Sequence, residues 1–367
     1  MCAGRVNGHD ESGPAGRRTS GRPAGPPVRG SGSVGPFVPP VIRRRDEERH
    51  TPMPETTDPA VHVLLPWNGL DERHGPWPSN VCVHVWDGRT PEDELPTDAL
   101  ESTELWVMPY AVPGAERLLP RLPAVRAVQS LSAGVEKLLP VMPEGAKLYN
   151  GRGLHDASTA EHALGLILAA QRDLPRWVAD QQAGRWEPHF TRSLAGSRVA
   201  VIGYGSIGEA LERRLLACEA EVVRVARRSR PEEDVHPVTA LPELLPEVDI
   251  AVLVLPETPA TAGMFGADEL AALPDGALVV NVGRGRTLET GALLEEVRNG
   301  RLRAALDVTD PEPLPGDHPL RGRPGVLITP HVAGGSATFR PRAERLVVEQ
   351  VRRYAAGEPL VNAFPRS

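Results

Sequence analysis

Residues 61–65, 81–85, 105–108, 127–129 and 147–149 are short apolar segments separated by turns rich in Pro and Gly, and they predict a first group of strands. A helix is expected over 158–171, opened by Ser158-Thr159-Ala160-Glu161 in a capping-box pattern. Its apolar residues do not keep to one stripe, which implies burial on most sides and a position between domains or subunits. A second series is cleaner. Residues 199–202, 250–255, 278–282, 304–308 and 326–329 are nearly continuous apolar runs without polar alternation, as strands read when helices cover both faces of a parallel sheet. Helical patterns at 206–219 and 290–299 lie between them, and no internal repeat is visible. The pattern predicts an α/β protein with two doubly wound parallel-sheet domains and a cleft between them. A last helix over 337–356 carries Leu346, Val347, Val351, Tyr354 and Ala355 on one side, stops at Gly357, and is expected to return to the first domain. The expected division is 58–155 plus 335–367 for one domain and 156–334 for the other.

The length, 367 residues, suits two domains. Residues 1–57 stand apart: Gly and Pro crowd them and large apolar residues are scattered, so they cannot bury enough surface to order themselves. They are expected to be either a disordered extension or translated upstream sequence with the start at Met53; the second is favoured. Arg17-Arg18 is followed by no apolar segment of the kind a secretory signal needs. Lys and Arg number 41 against 48 Asp and Glu, a formal charge of −7, which argues against a nucleic-acid partner. The apolar stretch at 163–170 falls far short of the ~20 residues of a membrane span. A cytoplasmic protein is expected. Cys2, Cys82 and Cys218 show no CxxC or Cys/His ligand spacing along the chain, so neither a disulfide scaffold nor a metal site is expected.

The strongest local signal is Gly203-Tyr204-Gly205-Ser206-Ile207-Gly208, directly after an apolar strand and before a helix. That context is what a Rossmann dinucleotide-binding domain requires: Gly203 for the tight turn, Gly205 for approach of a pyrophosphate, Gly208 for close helix–strand packing. The helix N-terminus then faces the phosphates. An NAD-preferring site places an acid at the end of the second strand; here that position reads Ala226-Arg227-Arg228-Ser229-Arg230. Arg227, Arg228 and Arg230 suit a ribose 2′-phosphate, so NADP is expected in preference to NAD. A solvated basic loop, with Glu232 or Glu233 reaching an NAD ribose, is the alternative.

Open α/β sheets bind ligands at the carboxyl ends of their strands. Pro256 and Glu257, then Gly283, Arg284 and Gly285, then Asp307 with Glu312 five residues on, and finally His331 follow successive strands. Reduction of a ketone by hydride leaves an alkoxide that needs a proton, which histidine can donate near neutral pH. A carboxylate such as Glu312 would orient the imidazole, and an arginine such as Arg284 would hold a substrate carboxylate through two hydrogen bonds. Together they describe a 2-oxo acid reductase.

Across 130–135, 158–163, 201–208, 255–258, 281–285, 306–313 and 329–331 the chain resembles the D-isomer-specific 2-hydroxyacid dehydrogenases, from about residue 61 to 362. The resemblance implies that Arg284 binds substrate, that His331 is the acid/base, and that Glu312 supports it. It also implies that Asp307 holds the nicotinamide carboxamide. Pro256, Val282 and Gly283 line the cofactor, and backbone amides of Ser132, Ala133 and Gly134 meet the substrate carboxylate. Ser206 replaces the usual basic or polar residue inside the glycine motif, and Glu289 stands where many members have Asp. The formate-oxidising branch carries Gln in place of Glu312, which disfavours formate. No basic residue occurs in 109–114 or 132–134, which points away from phosphoglycerate and toward glyoxylate or hydroxypyruvate. A nucleotide-binding regulator similar to the C-terminal binding protein corepressors, or a phosphoglycerate dehydrogenase, remains the alternative. The resemblance also implies a homodimer, with the 158–171 helix and the arm to about Trp186 as the contact.

Other polar and aromatic residues have plainer readings. His155 and His162 are expected to be structural, and Glu161 to be the capping partner of Ser158. Tyr110 is a candidate for lining the substrate pocket, with simple packing as the alternative. Trp67, Trp106, Trp177 and Trp186 are expected in the core or an interface.

Overall fold

Two parallel sheets, of five and seven strands, form the described part of the protein, residues 60–365 of a computed structural model. The expectation for residues 1–57 lies outside the described residues. The first sheet has the order β2-β1-β3-β4-β5, with β1 Val61–Leu65, β2 Val81–Val85, β3 Thr103–Val107, β4 Ala127–Gln129 and β5 Lys147–Tyr149. Side chains alternate across each strand, so the sheet has two cores. Val63, Leu65, Leu105 and Val107 face one, while Leu64, Trp106, Val128 and Leu148 face the other with Leu118, Leu119 and Leu122. The helices α1 (Leu70–His74) and α2 (Thr97–Ser102) lie in its crossovers.

Two helices follow, α3 (Asp156–Gln171) and α4 (Leu174–Gln182). α3 begins two residues before the predicted start, after His155. Ser158 lies inside the first turn and its hydroxyl donates to the His155 carbonyl (3.1 Å), so the capping box does not form. The burial agrees with the absence of a single apolar stripe: Ala160, Ala163, Leu166 and Ile167 are buried between the second sheet and its helices.

The second sheet runs through β6 (Arg198–Ile202), α5 (Ser206–Ala217), β7 (Glu221–Ala226), β8 (Val235–Pro237), α6 (Leu241–Leu244) and β9 (Ile250–Leu253). It continues through α7 (Ala267–Ala272), β10 (Leu278–Asn281), α8 (Thr290–Arg298), β11 (Arg303–Leu306) and β12 (Val326–Ile328). Its order is β12-β11-β10-β9-β6-β7-β8, with every neighbour pair parallel. Chain direction across the sheet reverses between β6 and β9, and the carboxyl ends of those two strands make the crevice of a doubly wound fold. Val199, Val201, Val252 and Val280 face α3 and α5, while Ala200, Leu253, Val279 and Leu306 face the opposite core. This two-sided burial is the cause of the unbroken apolar runs. The runs at 250–255, 278–282 and 304–308 outlast their strands by one or two residues, because the segments beyond the ladder stay packed as they bend away. β8, an edge strand containing His236 and Pro237, has no apolar run and escaped the pattern.

The last helix, α9 (Phe339–Ala355), lays Ala343, Val347 and Val351 onto the first sheet, as its apolar side predicts. Glu344 on the same helix accepts hydrogen bonds from Arg73 Nη2 (3.1 Å), His74 Nε2 (3.0 Å) and Arg340 Nε (2.7 Å). Burial pushes its carboxyl pKa up, but these donors outweigh that and hold it down at about 2. The folded-state pKa lies below the ordinary value, so the stabilisation is complete above about pH 4.5 and is lost as the pH falls toward 2. Glu344→Gln should lower unfolding free energy at pH 7 by about 2 kcal/mol, and denaturant melts should show the gap from wild type closing through that acid range.

Candidate active site

β6 leads into the glycine turn. Gly203 has φ +103°, and a Cβ there would stand 2.6 Å from the Val254 carbonyl oxygen, so only glycine fits. Gly208 packs so closely that a Cβ would meet Val201 and Tyr204 side-chain atoms at 3.2 Å. At Gly205 a Cβ would meet nothing within 4 Å. Gly205 opens α5 and no side chain caps that helix. The N–H groups of Ser206, Ile207 and Gly208 are therefore left for an external anion. An open approach over Gly205 and an uncapped helix start fit a dinucleotide pyrophosphate.

The basic residues beyond β7 divide into two kinds. Arg230 donates from Nη2 to the Tyr204 carbonyl (2.8 Å) and pairs with Glu233 (3.2 Å), tying the second strand's loop to the glycine turn. Arg224 is neutralised by Glu212 (2.6 Å), which also takes the Tyr204 hydroxyl. Burial, reinforced by Glu212, raises the Tyr204 pKa to about 12, so that hydroxyl stays protonated and keeps donating. Arg227 and Arg228 are exposed and form no hydrogen bond or ion pair among the described residues.

The loop after β10 is shaped by a buried amide absent from the sequence-derived site. Asn281 Oδ1 accepts from Gly283 N (3.0 Å) while Nδ2 donates to the Arg284 carbonyl (3.0 Å), which also accepts from the Thr287 hydroxyl (2.7 Å). The Arg284 side chain then reaches the 132–134 loop of the first sheet. A Cβ on Gly134 would fall 1.7 Å from Arg284 Nη2, so the guanidinium packs directly over this glycine and would have to shift for any side chain there. Glu136 lies 3.9 Å from the same nitrogen. Ser132 N is taken by the Ser130 hydroxyl (3.1 Å), whereas the N–H groups of Ala133 and Gly134 have no partner among the described residues. A guanidinium and free amides at one place form a receptor for a carboxylate.

His331 Nδ1 lies 2.6 Å from Glu312 Oε1, both side chains being half-exposed. The histidine backbone is left-handed, φ +53°, a conformation that costs energy for a residue with a Cβ. Its N–H donates to the Asp307 carbonyl (2.8 Å). The Asp307 carboxylate, 2% exposed, accepts from the Thr329 hydroxyl (2.6 Å), Val332 N (2.9 Å) and Ala333 N (2.9 Å). Both of its oxygens thus hold the 329–333 turn. His162 Nε2 completes the set, 3.0 Å from Thr329 Oγ1 and 3.3 Å from Asp307 Oδ1. Only the tertiary structure shows that Thr329 and His162 belong here, since they come from different elements with no shared spacing.

The other expected members differ in burial and packing. Val282 is buried in the core under α3, so its side chain is not available to a ligand, and Gly283 is buried beside it. Pro256 is exposed at the end of the β9 segment. Tyr110 stacks in a ring cluster with Phe339 (4.0 Å) and His155 (5.3 Å), the packing alternative. His155 joins the two sheets structurally, its ring nitrogens meeting the carbonyls of Leu131 (2.9 Å) and Gly334 (3.2 Å). Trp106 is core, Trp67 lies under Arg340 (3.8 Å), Trp177 stacks on His189 (4.2 Å), and Trp186 is 94% exposed.

Residues 164–333 match the family described as D-isomer specific 2-hydroxyacid dehydrogenase, NAD binding domain. The human glyoxylate reductase/hydroxypyruvate reductase is 32% identical over 230 residues, 59% of this chain and 70% of that protein. The D-3-phosphoglycerate dehydrogenase of Mycobacterium tuberculosis is 31% identical over 281 residues, 74% of this chain and 53% of that one, so the chain spans about half its length. A solved D-isomer specific 2-hydroxyacid dehydrogenase from Xanthobacter autotrophicus Py2, in complex with NADPH and MES, is similar with TM-score 0.69 at 29% identity. That likeness covers 84% of this chain and 98% of the other.

Asp307→Asn replaces an acceptor with a donor opposite two N–H groups and a hydroxyl. Amide exchange in 329–335, measured by mass spectrometry, should accelerate at least ~10-fold while the two sheets keep wild-type protection.

Proposed function

Because the chain belongs to the D-isomer-specific 2-hydroxyacid dehydrogenase family, we propose that it reduces a small 2-oxo acid to the D-2-hydroxy acid with NADPH. The observation that carries this reading is the 2.6 Å contact of His331 with Glu312 at the same strand ends as Arg284. Arg284, with the free N–H groups of Ala133 and Gly134, takes the substrate carboxylate and polarises the neighbouring carbonyl. The reduced nicotinamide, when bound, supplies the hydride. His331 gives its ring proton to the developing alkoxide and recovers one from solvent, while Glu312 stabilises the imidazolium. In sum, the 2-oxo acid, one NADPH and one proton yield the hydroxy acid and NADP.

Asp307, Thr329 and His162 act as positioning residues for this histidine, and Asp307 is the candidate acceptor for the carboxamide. The N–H groups of Ser206, Ile207 and Gly208 receive the pyrophosphate. Arg227 and Arg228, unpaired and exposed, take the 2′-phosphate, with Arg230 holding their loop against the glycine turn. The name of the human relative supports glyoxylate and hydroxypyruvate as first substrates, and the NADPH in the Xanthobacter structure supports the coenzyme.

NADPH consumption should be measured with glyoxylate, hydroxypyruvate, pyruvate and 3-phosphohydroxypyruvate. His331→Gln should lose at least ~100-fold in kcat with nucleotide affinity retained. Replacing Arg227 and Arg228 together by Ala should raise KM for NADPH about 10-fold or more and leave NADH unchanged. Nucleotide binding without turnover of any 2-oxo acid would instead favour the regulatory reading.

We also infer a homodimer through α3, α4 and the arm after them. Leu174 (48%), Val178 (53%), Trp186 (94%) and Phe190 (106%) expose large apolar side chains there. Trp186→Ala with Phe190→Ala should give a folded monomer by light scattering where wild type gives a dimer.

A further inference from the structure

The first sheet carries a second group of chemically capable side chains, apart from the Arg284, Glu312 and His331 set. β1 and β2 pair with His62 opposite Cys82 and Leu64 opposite His84. Positions two apart on a strand share a face, so His62, Cys82 and His84 stand together on one side of the sheet edge. His62 Nδ1 lies 3.1 Å from His84 Nε2, and Cys82 Sγ lies 3.8 Å from that same nitrogen. The three ligand-type atoms lie within 4.8 Å of one another. All three residues are half-buried, and Cys82 is a free thiol. Among the described residues no other group of His, Cys, Asp and Glu meets this spacing.

The distances, which describe a hydrogen bond between the two imidazoles and a sulfur contact, are also those of ligands that share one metal. A tetrahedral ion with metal–nitrogen bonds of about 2.0–2.1 Å and metal–sulfur bonds of about 2.3 Å sets its ligand atoms about 3.3 Å (N to N) and 3.6 Å (N to S) apart. The observed 3.1 and 3.8 Å lie on either side of those values. Two imidazoles and a thiolate are a borderline-soft donor set, which selects zinc and its neighbours over magnesium or calcium. Asp98, in the first turn of α2, adds negative charge close to His84. Along the chain only Cys82 and His84 are near each other; it is the β1–β2 register that supplies His62.

We propose that His62, Cys82 and His84 bind one zinc-class divalent cation through two imidazole nitrogens and one thiolate, with a fourth position for water. Binding takes the Cys82 proton into solvent. The ion ties β2, an edge strand of the first sheet, to β1, so its effect is on stability and not on the strand-end chemistry of the second sheet.

The test uses the reduced, full-length chain without a histidine tag, titrated with Co²⁺ as the probe and then with Zn²⁺. One equivalent of Co²⁺ should bind with a thiolate-to-cobalt charge-transfer band that Zn²⁺ abolishes. Saturating Zn²⁺ should raise the melting temperature by about 5 °C. Cys82→Ser should lose the band, His62→Asn should weaken binding at least ~10-fold, and Cys218→Ser should behave as wild type. Circular dichroism checks that each variant folds, and His62→Asn carries the test if Cys82→Ser does not. The absence of stoichiometric Co²⁺ binding, or a band that persists without Cys82 or moves with Cys218, would overturn the proposal.

Discussion

A buried carboxylate cannot remain charged without donors around it, and Asp307 is the group on which the site's geometry depends. Its oxygens take two backbone N–H groups and a hydroxyl from the turn that follows β12, and its carbonyl takes the N–H of His331. Those bonds impose the left-handed backbone at His331, and that backbone brings the ring to Glu312. The energy that solvates Asp307 inside the protein is the same energy that holds a strained histidine in place. In this arrangement the proposed proton donor is set by the fold before any substrate arrives.

The same logic operates on the other side of the site. Asn281 is fully buried, and its amide spends both ends on the backbone of the Gly283–Arg284 turn. Arg284 is thereby aimed across to the first sheet, where Gly134 leaves room for its guanidinium. The chemistry assigned to the site therefore needs two sheets at once: the second supplies the charged groups and the first supplies free amides. His155 and α9 keep those sheets together, the former through two carbonyls and the latter by returning over the first core.

Electrostatic pairing sorts the arginines that follow the glycine turn. Arg224 is neutralised by Glu212 and Arg230 is committed to Tyr204 and Glu233, whereas in the loop after β7 Arg227 and Arg228 make no ion pair among the described residues. From sequence the three expected arginines look equivalent. They differ because Arg230 lies within reach of a carbonyl belonging to an element 26 residues earlier.

What was legible along the chain follows from local periodicity. Strands buried on both faces must be apolar at every position, so the central strands of the second sheet announced themselves, as did the glycine turn whose backbone admits no other residue at Gly203. The order of groups at successive strand ends, Arg284, Asp307, Glu312 and His331, was also readable, because a parallel sheet collects those ends on one side. The start of α3 was misplaced because Ser158 bonds back into its own first turn. Only the tertiary structure decided the long-range pairs: His162 on Thr329, Arg284 on Gly134, and His62 beside Cys82 and His84. These depend on register and on the approach of separate elements, and neither quantity is written in the spacing of residues along one segment.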